Sequence, residues 1–476
     1  MGVLIFSLRE ELLMQPNAQN TAKPLSTALR YFYGVGDAGF KLMTNIESFY
    51  FTFFLTNIAK FSTTLTGVVG TAINIVDTIL SWTYGGIINS VKAQKWGRYR
   101  SWLRVMPWIV PFLFAFQFLN ISANPTASAV VIIAAGILSH IVWNFPYTAN
   151  AALVNVVGKT PEDKATLASS RAAWNNLGGI LFSYLGLPFA NLLAGAVGEN
   201  NKFAAAVFVL GLLMAVTYYA HFKMTDGYEE IEVEGSEAAK RNKTSIKDMF
   251  VSLFQNPTLI VLIIADLAKW CMNFVVSASA IYYFRYTAAN EGLQAVYLLT
   301  TGIAATIGAY LFRYMSKGLT SRTSMIFAYA AAAICLILVY VLYSNATIVI
   351  VLMTIAMFFY GAQFAAAPAL YADTVVYATW KSGKDASGWI MGLQVLPLKA
   401  AILLRGTLVP AALAAAGYRP DLDPATMSEA ARQGLTVSFA LIPGIFLAVG
   451  ALLLIFGFRL TKDKVLHYQA EIDARK

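Results

Sequence analysis

Apolar residues along this chain gather into long runs separated by short polar breaks, and each run approaches the ~20 residues that a helix needs to cross ~30 Å of hydrocarbon. Read against the Gly, Pro and charged breaks, the pattern predicts spans at 36–58, 64–89, 102–121, 127–155, 171–196 and 202–221. A second set follows at 257–284, 292–312, 323–343, 346–370, 388–416 and 433–458. Helices are the open element that satisfies its own backbone in lipid, and short alternating segments of the kind that build a membrane barrel are not visible. The expected fold class is therefore an all-α membrane protein of about 12 transmembrane helices.

The polar breaks divide the chain. The longest runs from Lys223 to Lys247 and carries Asp226, Glu229, Glu230, Glu232, Glu234, Lys240, Arg241 and Lys243. It separates two sets of six spans, the look of a duplicated transporter. Short basic loops, Lys92 to Arg100 and Arg313 to Arg322, follow the second span of each set. The expected organisation is a cytoplasmic tail at 1–32, a six-helix bundle at 33–222, a cytoplasmic loop at 223–250, a second bundle at 251–458 and a cytoplasmic tail at 459–476. The last tail spaces Val465, Leu466, Tyr468 and Ile472 as an interfacial helix would.

Composition agrees with the pattern. Of 476 residues, 58% are hydrophobic and 13% charged, with mean hydropathy +0.60; a soluble domain has about a quarter charged. The net charge of +10 invites a nucleic-acid reading. Its distribution excludes one, because most Lys and Arg fall in the tails and even-numbered loops, the excess typical of cytoplasmic segments. Both termini are then expected inside, in a bacterial inner membrane, with lipid as one partner and no nucleic acid. Cys271 and Cys335 lie within predicted spans and read as small core residues. Three His without Cys–His spacing give no metal site, and the first residues lack the form of a cleaved signal.

Chemistry is expected where ionisable residues sit inside apolar runs, at an insertion cost of ~2.5–3.5 kcal/mol each. These are Asp37, Lys41, Glu47, Asp77, Arg171, Asp266, Lys269, Lys399 and Arg405. Asp77 stands out, with apolar residues on both sides and no basic neighbour within a turn. Such a carboxylate needs a partner on another helix, a cation or a proton. Lys399 follows Pro397 in the middle of the eleventh span, where a broken helix would line a cavity and could bring the ammonium to Asp77 or solute. Asp266 and Lys269, one turn apart, could simply neutralise each other. Asp37 and Arg171, near cytoplasmic ends, suit a gating or orienting salt bridge.

Aromatic residues, 13% of the chain, include Trp82, Tyr84, Trp143, Tyr147, Trp174, Trp270, Tyr282, Tyr283 and Trp389. Ring faces pack against the C–H side of a sugar while amides and carboxylates bind its hydroxyls. Trp143 beside Asn144 and Trp270 beside Lys269 are the favoured pairs, although membrane interfaces also collect Trp and Tyr. A phosphate-binding Gly-x-x-x-x-Gly-Lys-Ser/Thr run is lacking, so the chain has no nucleotide motor of that kind, and the expectation is a transporter rather than an enzyme, with no cofactor.

Several stretches carry a resemblance: Tyr33-Gly-Val-Gly-Asp37-Ala-Gly39, Phe53-Phe-Leu-Thr56-Asn57, Asp77, Lys95-Trp-Gly-Arg98-Tyr-Arg100, Asn144-Phe-Pro146-Tyr147, Leu167-Ala-Ser-Ser-Arg171, Ala280-Ile-Tyr-Tyr-Phe284, Ala372-Asp373 and Lys399. In order and loop position the chain resembles, along nearly its whole length, the glycoside-pentoside-hexuronide:cation symporters of the major facilitator superfamily, typified by melibiose permease. The resemblance implies two six-helix bundles around a cavity that opens alternately to each side. It also implies a role for Asp77 in binding sugar or cation, with Lys399 close to it, and a place for Arg171 in the cytoplasmic region of the fourth and fifth helices; Asp37, Arg98, Arg171 and Asp373 are the candidate gating or conformational residues.

The departures shape the functional expectation. Ser81 stands where cation-coupled members carry a second carboxylate one turn after Asp77, Asn144 replaces an acidic fourth-helix residue, and Lys41 replaces an acidic first-helix one. Sodium prefers several hard oxygens with negative charge nearby, so H+ is expected in preference to Na+, through Asp77 or Glu47. The candidate substrate or cation site comprises Asp77, Lys399, Lys41, Asn144, Trp143, Ser81, Glu47 and Lys269. Its cationic members admit an anionic solute such as a hexuronide. The expected activity is secondary active transport of a sugar, glycoside or hexuronide by a monomer. Alternatives are a non-sugar organic anion, drug-like solute or lysolipid, an uncoupled facilitator, or a membrane receptor.

Overall fold

The structure is a computed structural model. It describes residues 24–474 apart from 82, 85–86, 89–90, 92–94, 123, 159–160, 230–252, 255, 319, 384–389, 391–392 and 420–422. The expected tail before residue 24, most of the central loop, Trp82 and Trp389 thus lie outside the described residues.

The first half of the chain folds as α1 (Thr27–Phe32), α2 (Val35–Phe53), α3 (Thr63–Leu80), α4 (Arg100–Val105), α5 (Val110–Phe116), α6 (Pro125–Val157), α7 (Pro161–Val197) and α8 (Lys202–Met224). The second half folds as α9 (Pro257–Tyr282), α10 (Gly292–Gly318), α11 (Ser321–Val341), α12 (Ala346–Ser382), α13 (Val395–Ala415), α14 (Glu429–Thr436), α15 (Ile442–Phe456) and α16 (Lys462–Ala474). Polar caps start many of them: Ser62, Asn124, Asn256, Thr320 and Asn345 each accept a hydrogen bond from a backbone N–H of the first turn.

Among the described residues, ten helical segments are long and apolar enough to cross a membrane. Two predicted spans fall outside that set for physical reasons. The first, α2, carries Asp37, Lys41 and Glu47. The third is interrupted: α4 and α5 are separate helices joined by a 3₁₀ turn at Met106–Trp108, with Pro107 and Pro111 at their junctions. Helical Leu393 is followed by a turn at Gln394, after which α13 begins, so Pro397 lies in the first turn after an interruption of the predicted eleventh span and Lys399 stands just beyond it. The proline inside α13 is Pro410.

Close backbone approach sets the packing within each half. A Cβ on Gly308 of α10 would lie 1.8 Å from the Phe358 carbonyl oxygen of α12, and one on Gly361 of α12 would lie 1.9 Å from that of Ala305, so only glycine fits this crossing. Two apolar clusters result. One gathers Leu29, Tyr50, Phe54, Phe114 and Phe203 and reaches across to Val275, Tyr282, Val409 and Leu413, whereas the other is built from second-half residues such as Met272, Phe284, Tyr329 and Leu447. The halves are thus sealed together near the ends of α2, α9 and α13.

A structural repeat relates the halves. The π-turn Phe54–Ile58 closes α2 and the π-turn Tyr283–Thr287 closes α9. Each is followed two residues on by a non-glycine residue at positive φ, Lys60 at 57° and Ala289 at 49°. The closing bonds match as well, from Ala59 N to the Phe54 oxygen (2.9 Å) and from Ala288 N to the Tyr283 oxygen (2.8 Å). In this register Asp37 corresponds to Asp266 and Asn57 to Tyr286.

Candidate functional site

Helical spacing brings the polar residues together. On α6, His140 and Asn144 are one turn apart, as are Trp143 and Tyr147, so the helix presents neighbouring polar and aromatic rows. Across from them α2 supplies Glu47, α3 supplies Asp77, and α13 supplies Lys399. Asp77 and Lys399 come from different halves and form the centre of the site.

Asp77 is 5% exposed. Its Oδ2 accepts a hydrogen bond from Lys399 Nζ at 2.7 Å and its Oδ1 accepts one from Asn144 Nδ2 at 2.9 Å. Asn144 also donates to the His140 carbonyl oxygen (2.7 Å), which fixes its amide. His140 places Nε2 at 3.1 and 3.2 Å from the two Glu47 oxygens and Nδ1 at 3.9 Å from Asp77 Oδ2. Gln117 donates to Glu47 (3.4 Å) and accepts from Ser139 (3.2 Å). Two carboxylates, an imidazole and an ammonium therefore form one buried chain across the halves. Low dielectric makes each charge there depend on its partner.

Aromatic rings flank this chain on the α6 side. Trp143 stacks on His140 at 4.3 Å, and Phe40 stacks on Tyr147 at 4.8 Å while meeting Trp143 edge-on. In the other half Trp270 stacks on Phe274 at 5.9 Å and meets Phe364 edge-on at 5.8 Å. Tyr147 and Phe364 remain 39% and 51% exposed, leaving ring surface for a ligand.

The remaining expected residues take varied places. Asp37 and Arg171 find each other: the guanidinium donates to the carboxylate at 2.7, 3.0 and 3.2 Å, and Asn150 donates at 3.0 Å, tying α2, α6 and α7 together. Lys269 forms a buried ion pair with Asp266 and lies over the Trp270 and Phe364 rings at 4.9 and 5.5 Å. The Ser81 hydroxyl donates back to the Thr78 carbonyl (2.8 Å) in its own helix. Arg98 donates to the Ile88 and Val91 carbonyls at 3.4 and 3.1 Å. Asp373 is half-buried on α12. Lys41, half-buried on α2, has its Cε facing Gly179, and among the described residues no carboxylate forms an ion pair with it.

Two groups were missed from the sequence. His140 was visible there as one of three His, inside an apolar run and one turn before Asn144. The other is a latch at the far end of the halves, where Asn57 donates to Tyr286, its repeat counterpart, and accepts from Tyr418 at 2.5 Å. Thr56 and Tyr282 hydrogen-bond beside it at 2.8 Å. Between latch and centre, Asn74 donates to the Ile402 oxygen (3.2 Å), and a Cβ on Gly70 would sit 3.4 Å from Gly406 Cα. Asn57→Ala removes two cross-half hydrogen bonds of about 0.5–1.5 kcal/mol each. Spin-label distances across that end are expected to lengthen in this variant; unchanged distances would rule out a latch.

Buried charge at the meeting of two packed helical halves, walled by exposed aromatic rings, defines a multi-pass membrane transporter. The fold agrees: the D-xylose–proton symporter crystal structure matches with a TM-score of 0.65 over 92% of this chain and 99% of that one at 13% identity. A bacterial homologue of the human lysosomal transporter Spinster matches with a TM-score of 0.64 over 93% and 97% at 13% identity. The chain belongs to the MFS/sugar transport protein family, whose model matches residues 32–462, and within it to the melibiose-permease-like symporters its motifs resemble. Similar relatives include the isoprimeverose transporter of Lactiplantibacillus pentosus, 22% identical over 90% of this chain and 88% of that one. Another is a putative sulfoquinovose importer of Escherichia coli (strain K12), 24% identical over 93% of each chain.

Proposed function

We propose that this chain carries a sugar, glycoside or hexuronide across the bacterial inner membrane by alternating access, with both termini cytoplasmic and with H+ rather than Na+ as the coupling ion. The observation that carries this reading is the Asp77–Lys399 bridge, which joins the halves through a carboxylate that can take a proton. With the termini inside, the Asn57–Tyr286–Tyr418 latch closes the periplasmic end. Relatives named for isoprimeverose and sulfoquinovose transport support a sugar-like solute. The aromatic walls suit sugar C–H faces, and Asn144, Lys399 and Asp77 suit hydroxyls. Sodium is disfavoured because the Lys399 ammonium already fills the cation position at Asp77, while Ser81 bonds within its own helix.

In purified protein reconstituted into vesicles, uptake from a panel of isoprimeverose, sulfoquinovose and glucuronate is expected to rise with a pH jump, acid outside, and to ignore sodium. Sodium-dependent uptake would overturn the H+ reading.

Lys41 favours an anionic member of the substrate class. Asp37, Glu47, Asp77 and Asp266 each have a cationic or imidazole partner, whereas Lys41 has no carboxylate in an ion pair with it among the described residues. A carboxylate or sulfonate on the solute would supply the missing charge. A charge-assisted hydrogen bond of this kind contributes about 1.5–3 kcal/mol. Lys41→Gln is therefore expected to weaken binding of sulfoquinovose or glucuronate about tenfold more than binding of neutral isoprimeverose. Equal effects on both would remove Lys41 from anion recognition.

A further inference from the structure

We propose that His140 carries the proton that releases the Asp77–Lys399 bridge and so frees α3 from α13 at the centre of the molecule. The inference rests on the proton-coupled reading above and adds a residue and a step to it. His140 is 3% exposed, and its two nitrogens are unequally placed. Nε2 is within hydrogen-bond distance of both Glu47 oxygens, whereas Nδ1 is buried without a hydrogen-bond partner, 3.9 Å from Asp77 Oδ2. A movement of about 1 Å brings Nδ1 into hydrogen-bond range of that oxygen. It is the same oxygen that Lys399 holds at 2.7 Å.

The groups facing His140 define the step. Glu47 approaches from α2, Asp77 from α3 and Lys399 from α13; Trp143 stacks on the ring from its own helix, and Arg405 of α13 lines a small void with Glu47. A proton entering from water protonates Nδ1, so the imidazolium keeps one N–H on Glu47 and turns the other toward Asp77. Transfer of the Nδ1 proton to Oδ2 leaves a neutral imidazole and a neutral carboxylic acid. Lys399 keeps its three protons and loses its counter-ion. The transfer moves no net charge, the entering proton has raised the cluster by one positive charge, and the ion pair across the halves is gone. Lys399 is then free for a solute hydroxyl or anion, which places protonation before solute binding.

The test reads the α3–α13 separation directly. Spin labels at Ile79→Cys and Val395→Cys, both at exposed positions, are placed in a chain carrying Cys271→Ala and Cys335→Ala. Pulsed magnetic-resonance distances are followed as pH falls. With His140 intact the distance is expected to lengthen on acidification, and Asp77→Asn should hold it long at every pH. His140→Gln should move the midpoint to lower pH by about 1 unit or more. Glu47→Gln, which removes the charge that holds the imidazolium, should move it the same way and gives a second route if His140→Gln does not fold. A distance indifferent to pH in the parent, or an unchanged midpoint in both variants, overturns the inference. Distances that respond while pH jumps drive no uptake would instead overturn the coupling reading and leave the relay standing.

Discussion

Replacing Asp77 with Asn is expected to lower uphill accumulation of solute about 100-fold or more, equivalent to ~2.7 kcal/mol, while the protein stays folded in the membrane. The amide keeps the shape of the carboxylate and can still accept from Asn144. It cannot take a proton or hold the Lys399 charge, so the link between ion and solute is cut. Removing the other partner acts differently. Lys399→Ala strands a buried carboxylate, a change that costs about 3–5 kcal/mol in comparable pairs. Its predicted signature is lost thermal stability. The double change Asp77→Asn with Lys399→Gln removes both charges and should recover stability without recovering accumulation. Normal accumulation by Asp77→Asn would remove the residue from the mechanism.

Breaking the Asp37–Arg171 pair should give the second large effect, on stability. The guanidinium holds the carboxylate through three contacts, and Asp37 is 2% exposed. Either Asp37→Ala or Arg171→Ala leaves its partner without a counter-charge among α2, α6 and α7. A loss of about 3–5 kcal/mol is expected, read as a lower unfolding temperature in detergent. Asp37→Asn combined with Arg171→Gln should lose less, since neither charge remains. Single variants as stable as the parent would show that the pair does not hold these helices.

Much of the membrane architecture was legible because a lipid-spanning helix must be apolar along its length. The predicted span 202–221 became Lys202–Met224, and 323–343 became Ser321–Val341. Prolines were harder to weigh. Pro107 and Pro111 broke the third span, where hydropathy alone reads one helix. Pro397 follows an interruption at Gln394, three residues ahead of it, which hydropathy alone does not show. At the site, the insertion cost of charge singled out Asp77 and Lys399, which the structure brings together in one ion pair. Their pairing was one of two readings the sequence left open for Lys399, since spacing does not fix partners far apart in the chain, and the resemblance added that the two lie close. His140 escaped because α6 is apolar around most of its surface, so no periodicity sets that residue apart. The Asn57–Tyr286 latch escaped for another reason: it exists only where two copies of one backbone turn meet, and the side chains at the matching positions differ.

In the proposed alternating access the two halves expose one solute site to each side in turn. Entrance counterflow tests it most directly. Vesicles containing the purified chain are loaded with an unlabelled panel member and diluted into a trace of the same solute, labelled. A transient overshoot of label inside the vesicles is expected, carried by exchange through the site even without an ion gradient. Protein-free vesicles should show none. Absence of counterflow for isoprimeverose, sulfoquinovose and glucuronate alike, from protein that remains folded, would contradict it.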